Sequence, residues 1–347
     1  MAWEKLGTAS VSGTTANTSW KELDRVTLGS ANSTIDTGTF TAKDNMMILT
    51  YDLGNTSNVT ANGNRQFNSD TGSNYSSRRQ SNGGSSTAQT SDSTLVQWDT
   101  GDQPSFSVET FTNIAAQEKL VLHHSVHQNT AGAGNAPMRN ENYGKWANTS
   151  AQVTSYQVKS DQNFNTGSEI VVLGYDNDEA DSGTNFWQEL ASVELSSSGD
   201  LIDTDTFTAK KYLMIEAVGY RVNDSVIPAL RVGNGTLDTG SNYARRQSVN
   251  GGTDATVTSQ TSIATTSGAG YLTKDIYFIV NKSDKEKLVI NEGYVTGSGA
   301  STAGDRQEIV GKWANTSAQI NRIGYLNVGG GTSDFGTGSY IKVYGAD

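Results

Sequence analysis

The nine letters GKWANTSAQ occupy residues 144–152 and return unchanged at residues 311–319, a shift of 167 residues (311 − 144). A run of that length is beyond chance or shared composition, and it ties the chain into two matching halves. Other stretches fall into the same register. Trp20 and Leu23 answer to Trp187 and Leu190, and TFTAK at 39–43 returns at 206–210. DTGSNY at 70–75 returns at 238–243 and EKLV at 118–121 returns at 286–289, each one residue out of step. The reading is a tandem duplication of one domain: residues 1–176, an acidic linker over 177–185 and residues 186–347. The period is far longer than the roughly 20–50 residues of solenoids and propeller blades. Each copy is long enough to bury its own core.

Local patterning points to strands. Residues 46–53 place Met47, Leu49, Tyr51 and Leu53 on one side, and Ile276, Phe278 and Val280 alternate in the second copy. The counterpart stretch 213–220 is apolar on both faces for several residues, as in a buried strand. Both copies close on one pattern, Phe164-x-x-Gly167-Ser168-x-Ile170-x-Val172 and Phe335-x-x-Gly338-Ser339-x-Ile341-x-Val343, with Ile and Val on one face. Residues 54–93 are rich in Asn, Ser, Gly and Thr and read as long loops around one or two short strands. A hydrophobic fraction of 34%, with 37 Gly against 3 Pro, suits strands joined by polar turns. The expected fold class is all-β: two tandem β-sandwiches of jelly-roll-like type.

Charge and composition exclude several functions. A net charge of −11 opposes nucleic-acid binding, which needs a basic face. The absence of Cys removes disulfides, thiolate metal sites and cysteine nucleophiles together. No basic region followed by an apolar run opens the sequence, so no cleaved secretion signal is expected. No apolar run approaches the about 18 residues of a spanning helix, so no membrane insertion is expected.

Arg65, Phe67, Asn68, Asp70 and Gly72, running into Asn74-Tyr75 and Arg78-Arg79, resemble a motif of virion structural proteins of tailed phages and related marine viruses. The closing pattern, through Tyr344-Gly345, looks like the last strand of phage tail-fibre and tail-tip β domains. In the second copy Val232-Gly233-Asn234 stands where Phe67-Asn68 would be. The resemblance implies a non-enzymatic component of the particle surface: a tail-fibre, decoration or capsid protein. It implies homo-oligomers, trimers among them, and contact with other virion proteins.

Candidate sites follow. Trp146 and Trp313, with Tyr75 and Tyr243, are the residues a β-sandwich would use to stack on sugars; the alternative is that all four pack inward. Arg78, Arg79, Arg245 and Arg246 suit either a neighbouring subunit or an intradomain pair with Asp70 or Asp238. Phe67 completes the set of ligand or interface candidates. His123, His124 and His127 invite a metal, but on a strand His123 and His127 lie about 13 Å apart, too far for one ion. Asp176, Asp178, Glu179 and Asp181 lack the Gly and terminal Glu of an EF-hand loop and read as a solvated linker rather than a calcium site. No nucleophile stands beside a base, and no carboxylate pair is marked by spacing. The expectation is no catalysis, no cofactor and no metal, with glycan-binding host attachment as the alternative function.

Overall fold

The computed structural model describes residues 20–57, 61–100, 102–177, 185–222, 226–265, 272–296, 300–301, 303–332 and 334–347. Among these residues every regular element is a strand. The opening segment around Trp3 and the acidic residues Asp178, Glu179 and Asp181 lie outside them.

The chain divides into two compact units. Unit 1 takes residues 1–129 and 138–186, and unit 2 takes Thr130–Pro137 and Trp187–Asp347. Unit 1 contains β1 (Lys21–Thr27), β2 (Asn32–Asp36), β3 (Asn45–Asp52), β4 (Ala61–Phe67), β5 (Tyr75–Ser81) and β6 (Thr87–Asp92). It continues with β7 (Leu95–Thr100), β8 (Ser105–Thr112), β9 (Lys119–His127), β10 (Met138–Trp146), β11 (Tyr156–Phe164) and β12 (Glu169–Tyr175). Unit 2 contains β13 (Gln188–Glu194), β14 (Leu201–Thr206), β15 (Tyr212–Tyr220), β16 (Pro228–Asn234), β17 (Thr236–Leu237) and β18 (Tyr243–Val249). It ends with β19 (Ala255–Gln260), β20 (Ile263–Ala264), β21 (Leu272–Val280), β22 (Lys287–Thr296), β23 (Asp305–Trp313), β24 (Arg322–Asn327) and β25 (Tyr340–Ala346).

In unit 1 an eight-stranded sheet runs β1-β12-β3-β8-β9-β10-β5-β6, and a four-stranded sheet runs β2-β11-β4-β7. In unit 2 the larger sheet runs β13-β25-β15-β21-β22-β23-β18-β19, and the smaller runs β14-β24-β16 with β17 and β20 both on β16. Strand for strand the two orders are the same, save that β17 has no partner in unit 1. Successive strands alternate between the two sheets at β1–β2, β3–β4, β7–β8 and β11–β12. All pairings are antiparallel. The outermost strands are irregular: β1 and β13 each carry a register shift, at Glu22/Asp24 and Glu189/Ala191. At the other edge β6 and β19 are broken likewise, opposite Tyr75/Ser77 and Tyr243/Arg245.

Each unit closes over its own core. In unit 1 Ile48, Phe67, Tyr75, Phe111, Trp146, Tyr156, Phe164 and Ile170 pack together, and in unit 2 Ile215, Val232, Tyr243, Tyr277, Trp313, Tyr325, Phe335 and Ile341 do so. Full burial of a large apolar side chain contributes about 1.5–3 kcal/mol, so these rings carry much of each core.

Two expectations are corrected. Strand β3 buries seven of its eight residues, so both its faces are covered and not one alone. The polar stretch 54–93 holds three strands, β4 to β6, because Ser, Thr and Gln on an exposed face leave the backbone ladder intact. The last three residues of β10 and β23 come from GKWANTSAQ itself, Gly144-Lys145-Trp146 and Gly311-Lys312-Trp313.

Candidate functional site

The repeated motifs assemble two latches in each unit. The first is a turn. Asp70 Oδ1 accepts the Gly72 amide at 2.8 Å, and Asp70 Oδ2 accepts Asn74 Nδ2 at 2.9 Å and the Trp146 indole N–H at 2.6 Å. The Tyr75 hydroxyl lies 3.3 Å from both the Phe67 and Asp70 carbonyls and accepts the Phe67 amide at 3.0 Å. Unit 2 repeats this: Asp238 takes Gly240, Asn242 and Trp313, and the Tyr243 hydroxyl donates to Val232 at 2.7 Å. Partial burial raises the pKa of Asp70 and Asp238, but the donated hydrogen bonds outweigh it and hold both below the usual carboxylate value.

The second latch joins EKLV to GKWANTSAQ. Lys119 Nζ donates to the carbonyls of Ala115, Gln117 and Asn148 and sits 5.5 Å from the Trp146 ring centroid. Lys287 does the same with Ser283, Lys285 and Asn315, over Trp313 at 5.5 Å. Asn148 and Asn315 then cap the following turn through the Ser150 and Ser317 amides. Gly144 and Gly311 open the motif because a Cβ there would come within 2.6 Å of Leu95 and Ile263 respectively.

These placements decide the aromatic candidates. Trp146, Trp313, Tyr75, Tyr243 and Phe67 are all buried, at 1% exposure or less. None offers a ring face to a sugar: of the two readings open in the sequence, the structure shows the inward-packed one, and their polar atoms are spent on holding turns. The arginines diverge. Asp70 and Asp238 bind indole, amide and backbone donors, and the intradomain pairs with Arg78/Arg79 and Arg245/Arg246 are not formed. Arg78 is exposed, 3.4 Å from Ser86 Oγ, and Arg79 is half-buried. Arg245 Nε donates to Gln247 and Arg246 Nε to the Pro137 carbonyl, both at 2.9 Å.

The histidines separate as the strand register requires. His123 points inward, with Nδ1 2.9 Å from Glu109 Oε1. Glu109 is buried, ion-paired with Arg65, and accepts the Tyr156 hydroxyl at 2.5 Å. Burial raises Glu109, yet Arg65, His123 and Tyr156 together bring it below its ordinary value; burial lowers His123 to about 4. His124 points outward, 3.2 Å from the Tyr143 hydroxyl, and His127 Nδ1 accepts the Asn129 amide. Unit 2 has a parallel network two residues along the strand, with the Tyr325 hydroxyl 2.7 Å from Asp275 and Asn291 where His123 stands. Both networks lie between packed sheets, with their acids committed to neighbouring donors. Asp176, from the acidic run, pairs with Lys43 at 2.9 Å. Among the described residues no three His, Cys, Asp or Glu side chains are grouped to hold a metal ion.

What the strands leave on the surface is different in kind. On β9 the inward residues Lys119, Val121 and His123 are buried, while Leu120 and Leu122 are 59% and 52% exposed. Register places Leu122 opposite Tyr143, and Tyr143 opposite Arg78 on β5. Leu120 lies opposite Lys145, which forms a surface ion pair with Glu118 at 2.8 Å. The outer face of the unit 1 sheet thus carries Leu120, Leu122 and a 41% exposed Tyr143, rimmed by Arg78, Lys145 and Glu118. Sequence reasoning missed this face. Its signal was KLVLHH, apolar on both sides of the strand.

No protein-family model matches the chain, and no curated protein does. Among solved structures, mouse laminin alpha1 chain domains LG4-5 are similar over 97% of this chain and 90% of that one, at 10% identity and a TM-score of 0.20. An acyl-CoA hydrolase from Agrobacterium tumefaciens is similar over 65% and 77%, at 6% identity and a TM-score of 0.15. Neisserial surface protein A is similar over 81% and 96%, at 9% identity and a TM-score of 0.12, and likenesses at this level carry no argument about fold or function.

Proposed function

We infer that this chain is a non-enzymatic structural protein of a virus particle, built from a duplicated jelly-roll domain and associating with further copies of itself. The duplication is supported by the repeated motifs and by strand orders that correspond throughout. Setting aside the hairpins β5–β6 and β9–β10, the strands run β1-β12-β3-β8 and β2-β11-β4-β7, an order that supports eight-stranded jelly-roll wiring. That architecture serves viral capsid and lectin domains alike. The particle setting rests on the motif resemblance around Asp70 and Tyr75.

The observation that carries the assembly reading is the outer face of β9 and β10. Large apolar groups clustered on one sheet face and rimmed by charge mark interaction sites. The buried acids, by contrast, are tied up in the core. Size-exclusion chromatography with light scattering on the full chain tests the reading: species larger than a monomer are expected at high concentration, and a monomer throughout opposes it.

Tyr143 favours a second reading, glycan recognition at the particle surface. Its ring is exposed beside His124 and Arg78, as an aromatic that stacks on a sugar must be. On that reading Tyr143→Ala abolishes glycan-array binding while the thermal unfolding midpoint holds.

A further inference from the structure

The exposed face of unit 1 has a counterpart in unit 2, and there it is occupied. By the motif register, Glu118, Leu120 and Leu122 correspond to Glu286, Leu288 and Ile290. Tyr143 and Lys145 correspond to Val310 and Lys312, and Arg78 to Arg246. The unit 2 set is buried: Leu288, Ile290 and Val310 are at 3% exposure or less. The ion pair tells the same story. Lys145–Glu118 side chains are 44% and 39% exposed, whereas Lys312–Glu286 are 0% and 4%.

In unit 2 the segment Thr130–Pro137 is tied down across these strands by four hydrogen bonds. Lys312 Nζ donates to the Thr130 carbonyl at 2.6 Å, and the Gly132 amide donates to Glu286 Oε1 at 2.5 Å. The Ser259 amide donates to the Ala133 carbonyl at 2.8 Å, and Arg246 Nε donates to the Pro137 carbonyl at 2.9 Å. Every one of these anchors is present in unit 1. Glu118, Lys145 and Arg78 are the side chains. Ser91 is the backbone donor, because strand register pairs Tyr75 with Asp92 and Tyr243 with Gln260, which aligns Ser91 with Ser259. Both serines hold the same left-handed conformation, φ 53° and 52°.

The anchors read only the main chain of the covering segment, so its side chains need only be small enough to allow approach. Its sequence is TAGAGNAP, and it joins β9 to β10. The corresponding connection joins β22 to β23 and carries GSGASTAG at 297–304, of the same small-residue character. Residues 300, 301 and 303 of it are exposed.

We propose that the outer face of β5, β9 and β10 in unit 1 receives a second copy of this chain through that copy's β22–β23 connection, so that copies join head to tail. This rests on the assembly reading above and specifies its surface and polarity. The contact is heterologous, one patch meeting a different patch, and such contacts propagate into rings or filaments.

The chain has no Cys, so introduced cysteines report cleanly. Leu120→Cys and Ala300→Cys proteins, mixed and treated with a short bis-maleimide, are expected to form the mixed dimer at least tenfold over either variant alone. In sedimentation velocity, Leu122→Asp and Arg78→Glu are each expected to raise the concentration for half-association at least tenfold, with the thermal midpoint unchanged. A Leu120→Cys homodimer as the main product shows a face-to-face contact and overturns the proposal. Wild-type association that both substitutions leave unchanged also overturns it, while the assembly reading stands. A wild-type chain that stays monomeric overturns both.

Discussion

Asp52 and Asp275 set one side of the pH response of folding. Burial lifts Asp52 to about 7, against the Gly54 amide, Arg65 and two serine hydroxyls, and lifts Asp275 to about 6, against Tyr325, Asn291 and Arg221. The folded chain keeps these protons in a window, from about pH 4 to 7, where the unfolded chain has lost them. Their contribution to stability is therefore full below that window and is lost as pH rises through it. Asp52→Asn is expected to raise the thermal midpoint relative to wild type at pH 8, a gain that vanishes near pH 4. Asp70 and Asp238 act in the opposite sense. Their folded values lie below the ordinary one, so their contribution is present above about pH 4 and is lost as pH falls through the folded value. Asp70→Asn should lower the midpoint at pH 7 and converge with wild type in acid, as followed by circular dichroism melts.

At the scale of elements, what matters is which polar groups a strand end or turn must satisfy. Lys119, itself fully buried, fills three carbonyls, two in the turn between β8 and β9 and one in the turn between β10 and β11. Lys119→Met leaves them unpaired and should cost about 3 kcal/mol in urea unfolding. Lys145→Met removes only an exposed pair and should cost less than about 1 kcal/mol. Much of this was legible in the sequence. The repeat marked the stretches that form the latches, DTGSNY, EKLV and GKWANTSAQ, though not which of their residues bond each other. Strands with clear alternation, such as β21, were equally readable. Residues 54–93 were not, because polar strands look like loops when their pairing partners lie far along the chain. Nor were Asn113 and Asn281, whose side chains hold residues 153 and 320 from about 40 positions away. The aromatic candidates stayed open for a related reason: Trp, Tyr, Asp and Asn together suit either a sugar site or a turn whose polar atoms need partners, and only geometry separates the two.

For the molecule as a whole, two closed cores imply two cooperative units. Differential scanning calorimetry of the full chain is expected to resolve two transitions, and Trp146→Ala should move one by several degrees while leaving the other in place. The larger sheets bear on another property. Their terminal strands, β1 and β6 in unit 1, β13 and β19 in unit 2, are each kinked by a register shift. Lys21, Glu22, Asp24 and Arg25 further arm β1 with charge. A bent, charged border cannot template a foreign strand in register. A concentrated solution of this Thr- and Asn-rich chain is thereby guarded against cross-β fibre growth, and straightening such a border, as by deleting Leu23, should shorten the lag before thioflavin T fluorescence rises.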